Sequence, residues 1–159
     1  MFAEAATEPS RVLEPRSISG QPRQSKTLSK SHLNYVVADS KWESAAAFHL
    51  DQHPRVAAFV KNQGLGFAIP YLHGGGLHEY IPDFLVRVDN GRMLILEAEG
   101  GRDEKAEIKV QAAERWVAAV NADGRHGEWS YAICRDPNRI PDAIAQTAGD
   151  TAFAARRTS

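Results

Sequence analysis

The stretch Tyr80-Ile-Pro-Asp-Phe-Leu-Val-Arg-Val-Asp-Asn-Gly-Arg-Met-Leu-Ile-Leu-Glu-Ala-Glu99 decides the fold. Two apolar runs flank Asp89-Asn-Gly91, which spells a β-hairpin. A three-residue loop with Gly91 in the left-handed position sets Val88 opposite Arg92. Counting back along both strands then sets Asp83 opposite Glu97, with Cβ atoms about 5 Å apart. Glu99 shares the face of Glu97, because side chains repeat every two residues. A two-residue Asn90-Gly91 loop would slip the register by one and send Asp83 to the other face. Ile81, Leu85, Met93 and Ile95 line one face, and Phe84, Val86, Leu94 and Leu96 the other. Such a hairpin belongs in a sheet covered on both sides.

Acids in strands this apolar are costly unless they are paired, neutralised or bound to a cation. Two carboxylates converging on one point offer hard oxygen donors, which suit Mg²⁺ or Mn²⁺ better than zinc. Pro82 removes a ladder hydrogen bond beside Asp83, so a bulge or edge is expected there. The alternative is structural: Asp83 ends a strand while Glu97 and Glu99 pair with surface Arg or Lys.

The chain's 159 residues fit one domain with mass enough for a core. A hydrophobic content of 43% with 25% charged residues sets aside the disordered and membrane classes. The net charge of −1 provides no global attraction to DNA or an anionic membrane, so any nucleic-acid contact must be local. The single cysteine, Cys134, excludes an internal disulfide and suits a reducing cytosol, so a cytoplasmic location is expected. The first residues, Met1-Phe-Ala-Glu-Ala-Ala-Thr-Glu8, carry acids and no apolar run, unlike a signal peptide. No stretch approaches the length of a membrane span, and no membrane partner is expected.

Residues 1–30, rich in Ser, Pro, Arg and Glu, read as a disordered lead-in or linker, and the folded part is expected from Ser31 to residue 148. Residues 149–159 form a frayed tail. Ser40-Lys-Trp-Glu43 matches a capping box, and Trp42, Ala46 and Leu50 follow at helical spacing, with Ala45 and Phe48 alongside. Val56 to Val60 and Phe67 to Leu72 are short strand-like runs. His73-Gly-Gly-Gly76 reads as a flexible turn leading into the hairpin. Asp103 is placed to cap a long helix, whose apolar residues Ala106, Val110, Ala113, Val117 and Val120 recur every three or four positions. Asn121-Ala-Asp-Gly124 stops that helix. Glu128 to Cys134 is a further strand, and Pro141 to Thr147 a short helix. A strand, a long helix and another strand imply a parallel crossover, and so a mixed sheet with helices on both faces.

Pro82-Asp83, followed by Glu97-Ala-Glu99 at the end of an apolar strand, resembles the signature of PD-(D/E)xK nucleases. Ser31-His-Leu-Asn-Tyr-Val-Val-Ala-Asp-Ser-Lys-Trp-Glu43, Tyr80-Ile-Pro-Asp-Phe-Leu-Val-Arg87, Ala113-Glu-Arg-Trp-Val117 and Val120-Asn-Ala-Asp-Gly124 resemble one branch more specifically. That branch is the C-terminal endonuclease domain of type III restriction enzyme Res subunits, which follows a helicase motor. The resemblance covers roughly residues 30 to 137. It implies an α/β restriction-endonuclease-like core: a central mixed sheet, built from an antiparallel hairpin plus a parallel crossover strand, flanked by helices on both faces. It also implies a DNA endonuclease dependent on Mg²⁺ or Mn²⁺, with DNA, a helicase/ATPase motor and a modification subunit as partners. Asp83 would be the central metal ligand and Glu97 the second. Glu43 matches an acidic position that helps hold the metal or its waters, although the capping box already accounts for it.

The chain departs from the family pattern at Glu99, where the family normally has Lys. A glutamate cannot stabilise negative charge developing on a phosphate. Three outcomes stay open. Glu99 acts as a further ligand or general base, or Lys105 or Lys109 supplies the missing cation from the following helix. In the third, the site is degenerate and the domain serves DNA binding or subunit docking. Lys105, Lys109 and Arg115 could form a phosphate-contacting stripe or an ordinary solvated face. Gln111 is a weaker candidate for the metal edge. The histidines lack zinc-ligand spacing, Cys134 reads as inert packing, and Trp116 and Trp129 as core or its rim.

Overall fold

The computed structural model describes residues 25–27, 29–30, 35–37, 41–98 and 105–150. In chain order the elements are β1 (Ser25–Thr27), β2 (Tyr35–Val37), α1 (Lys41–Gln52), β3 (Val56–Lys61), β4 (Ile69–His73) and β5 (Gly76–Tyr80). They continue with β6 (Phe84–Val88), β7 (Met93–Ala98), α2 (Ala106–Asp123), β8 (Trp129–Cys134) and α3 (Ile140–Ala148). A central four-stranded sheet runs β3-β6-β7-β8, and β1-β2 and β4-β5 form separate hairpins. β7 and β8 are parallel and the other pairs antiparallel, so α2 is the crossover helix of a mixed sheet.

The β6–β7 register follows from its turn. Val88 accepts a hydrogen bond from Gly91 N and donates to Arg92 O, both at 2.9 Å, and Gly91 has φ +87°. Phe84 pairs with Leu96, Leu85 with Ile95 and Val86 with Leu94. The three-residue loop is therefore the one that forms, and the alternative two-residue register is excluded.

Each sheet face carries its own core. Phe84, Val86, Leu94 and Leu96 pack with Ala46, Ala47 and Leu50 of α1 and with Ile140 and Ile144 of α3. Ile95 and Leu85 pack on the opposite face with Ala112 and Ala113 of α2 and with Ile69, Tyr71 and Tyr80 of the β4–β5 hairpin. Alternation in β6 and β7 thus assigns even-numbered side chains to the α1 side and odd-numbered ones to the α2 side.

Several local expectations need correction. Phe48 is 51% exposed, because the 100° step per helical residue turns it away from the buried Ala46 and Leu50. The bulge or edge expected at Pro82 takes the form of a ladder end, and the register shift of the sheet lies between Val56 and Ala58 of β3. Pro82 is buried and β6 starts after it; lacking an N–H, it ends the ladder rather than kinking it. His73-Gly-Gly-Gly76 is the tip of a hairpin of its own, with Gly74 and Gly75 at positive φ, as a tight two-residue turn demands. β5 carries little of the alternation that marks a strand, since Leu77, His78 and Glu79 are all exposed. Packing also begins before Ser31: β1 lies at residues 25–27, and Ser29 and Lys30 hydrogen-bond to Asp51. The Ser40 half of the capping box, the Asp103 cap and residues 151–159 of the tail lie outside the described residues.

Candidate metal centre

Asp83 and Glu97 meet where the β6–β7 ladder stops, and each completes the other's strand. Asp83 Oδ2 accepts from the backbone N–H of Ala98 at 2.8 Å, while Asp83 N donates to Glu97 Oε2 at 3.2 Å. On the other side, Asn62 N donates to Asp83 O at 2.8 Å, extending the β3–β6 pairing by one residue. By the alternation of β6 and β7, both carboxylates belong to the face that carries Leu85, Ile95 and α2.

Tyr80 closes the site from β5. Its side chain is buried, and its hydroxyl donates to Glu97 Oε2 at 2.6 Å and lies 3.4 Å from the Tyr131 hydroxyl. Burial and the neighbouring Glu97 charge raise the phenol far above its ordinary value, so it stays protonated. Oε2 of Glu97 thus has two donors. Its Oε1 accepts no hydrogen bond among the described residues.

Asp51 and Glu97 both accept several hydrogen bonds but differ in charge balance. Burial would raise the Asp51 carboxyl, but donors outweigh it: the Lys30 and Ser29 backbone amides, the Ser29 hydroxyl and the Gln52 amide hold it below its ordinary 3.8. That is a structural acid. Glu97 goes the other way. Burial first and the Asp83 charge second raise it from an ordinary 4.5 to about 7. The Tyr80 hydroxyl, the Asp83 amide and the Lys109 charge oppose this without overcoming it. An acid that its own protein leaves short of positive charge is one that a cation would satisfy.

Lys109 stands closest to this arrangement among the sequence candidates on α2. Its ammonium lies 5.8 Å from the centroid of the Tyr80 ring, and its charge acts on Glu97. Lys105 is exposed and immediately precedes α2, one turn before Lys109 and on the same side of the helix. Glu43 lies on α1, and its Oε2 is 2.8 Å from Lys61 Nζ, with both side chains largely buried. Lys61 pairs with Phe84, which points to the α1 side, so this ion pair is on the α1 side of the sheet. Glu99 lies outside the described residues. Gln111 and Arg115 are exposed on α2. Burial raises the Cys134 thiol to about 11, which keeps it an inert packing group.

The residues present fit a small divalent ion. Magnesium sites use one or two carboxylates and leave the remaining positions to water and substrate phosphate. Asp83 and Glu97 provide that pair. No group of three or more His, Cys, Asp or Glu gathers among the described residues, so a fully protein-made cage is not seen there. Asn62 adds a second sign. It is buried, its backbone N donates to Asp83 O, its Nδ2 donates to Phe67 O at 2.8 Å, and its Oδ1 is a buried oxygen without a hydrogen-bond partner among the described residues.

Comparisons with protein-family models, curated proteins and solved structures return no match. The site therefore rests on its own geometry. Tyr80, Tyr131, Lys61 and Asn62 were not singled out in the sequence. The only signal for Tyr80 was its position three residues before Asp83. Tyr131 could be placed only once the parallel β7–β8 register was known, since it pairs with Ile95.

Proposed function

We propose that this chain is a Mg²⁺- or Mn²⁺-dependent DNA endonuclease domain of the PD-(D/E)xK kind, related to the nuclease domains of type III restriction enzymes. The carrying observation is the meeting of Asp83 and Glu97 across β6 and β7, on the face that presents Lys109. The mixed sheet, with its antiparallel hairpin, parallel crossover strand and helices on both faces, supports the same reading.

Asp83 and Glu97 would hold the ion. When bound, it would polarise the scissile phosphate and lower the pKa of a coordinated water. The chain's own residues prepare that chemistry. Asp83 is fixed by backbone bonds to β3 and β7, so its carboxylate cannot swing out of register. Tyr80 fixes Glu97. Lys109 supplies positive charge beside the pair, the task that Glu99 cannot perform at the usual lysine position. Nothing in the sequence marks a DNA-reading element, so target recognition is assigned to a helicase motor or modification partner.

Calorimetry with Mn²⁺ and plasmid nicking with Mg²⁺ or Mn²⁺ test the proposal together. Wild type should bind the ion and nick DNA, and Asp83→Ala should lose both. Lys109→Ala should keep ion binding and lose most nicking. Absence of Mn²⁺ binding would overturn the site. Binding without cleavage, with and without a helicase partner, would overturn the enzyme and leave a non-catalytic DNA-binding or docking domain.

A further inference from the structure

Glu97 presents its two oxygens unequally. Oε2 receives the Tyr80 hydroxyl at 2.6 Å and the Asp83 amide at 3.2 Å, while Oε1 receives no donor among the described residues. A carboxylate oxygen has two lone-pair sites, so two donors fill Oε2. Building on the metal-site reading above, we infer that Tyr80 restricts Glu97 to single-oxygen coordination through Oε1 and so selects a small divalent ion over Ca²⁺.

Calcium takes six to eight oxygens and commonly uses both oxygens of a carboxylate. Magnesium is strictly six-coordinate and takes carboxylates through one oxygen. A glutamate whose second oxygen is already engaged suits the smaller ion and leaves a larger one under-coordinated. The phenol is well held for this task. It is buried, the Tyr131 hydroxyl lies 3.4 Å from its own, and the Lys109 ammonium sits over its ring. Pairing with Ile69 across the β4–β5 hairpin fixes its backbone. Tyr80 is therefore a positioning residue: it reaches the ion only through Glu97.

The test is competitive binding of Mn²⁺ and Ca²⁺ to the full chain by calorimetry. Tyr80→Phe keeps the buried ring, and a thermal melt verifies folding. The Mn²⁺/Ca²⁺ affinity ratio should fall by about tenfold or more, the change expected when one hydrogen bond to a charged acceptor is removed. Tyr131→Phe deletes the neighbouring hydroxyl without touching the bond to Glu97, and should keep the wild-type ratio. An unchanged ratio in a folded, Mn²⁺-binding Tyr80→Phe protein overturns the inference and leaves the metal site standing. Wild type that binds no Mn²⁺ overturns both. A second measurement needs no variant: infrared carboxylate bands of wild type carrying ¹³C-labelled glutamate. With Mn²⁺ bound, the wide splitting of one-oxygen coordination is expected, and the narrow splitting of two-oxygen coordination would overturn the inference.

Discussion

Glu97→Gln should stabilise the metal-free protein, and only above acidic pH. The folded carboxyl titrates at about 7 against an ordinary 4.5, so between these values the folded state holds a proton that the unfolded state has lost. Stability then falls as pH rises through that window and levels off above it. The interval, at about 1.4 kcal/mol per pH unit, amounts to about 3 kcal/mol. Glutamine keeps an oxygen to accept from Tyr80 and Asp83 but carries no charge to desolvate. In EDTA at pH 8, the variant should exceed wild type by about 3 kcal/mol, or roughly 10 °C in Tm. At pH 4 the two should coincide. Urea unfolding followed by fluorescence of Trp42, Trp116 and Trp129 reads the difference. Mn²⁺ should nearly close the gap: at a hundred times its Kd it returns about 2.7 kcal/mol to wild type and little to the variant. A variant less stable than wild type at pH 8 without metal would refute the reasoning, as would a gap independent of pH.

Three further outcomes probe the scaffold. Phe84→Ala should cost about 3–5 kcal/mol in urea unfolding, because the side chain is fully buried against Phe59 between the sheet and the α1 side. Gly91→Ala should cost about 1–2 kcal/mol: nothing lies within 4 Å of an added Cβ, so the loss comes from the +87° φ alone. Asp51→Asn should lower stability by about 1–2 kcal/mol near neutral pH, since it weakens bonds from Ser29 and Lys30 to a charged acceptor. Because the folded Asp51 carboxyl lies below 3.8, its contribution is present above that value and lost on acidification, so the two proteins should converge in acid unfolding.

The sequence carried the hairpin most clearly. Asp89-Asn90-Gly91 between two apolar runs marked the hairpin but left two registers open, and the Asp83–Glu97 meeting follows only from the three-residue loop that the structure shows. The stop of α2 at Gly124, in the left-handed conformation, was legible for the same local reason. β5 was not, because an exposed hairpin face has no need of apolar alternation. Tyr80 and Asn62 were illegible as site residues for a different reason. Their relevance depends on three strands lying side by side, and only tertiary pairing shows which residue of one strand reaches the next. Lys61 lies one residue past the Val56 to Val60 run, and nothing in the sequence marks it as buried against Glu43.

The sheet separates two kinds of acid. On the α1 side, Glu43 faces Lys61 at 2.8 Å, and Asp51 at the end of α1 is surrounded by donors, so both serve the fold. On the α2 side, Glu97 shares its enclosure with Asp83, and the charge nearest in kind to a counterion, Lys109, leaves it at about 7. The same acids also replace ladder hydrogen bonds where Pro82 ends the strand, which explains why they are rigid without explaining why they should be paired. A purely structural strand end would be served as well by Asn or Ser, which accept the same amide bonds at no cost in mutual repulsion. Two like charges held together by backbone bonds, with one oxygen of Glu97 left without a donor among the described residues, are the arrangement that the proposed divalent ion would complete.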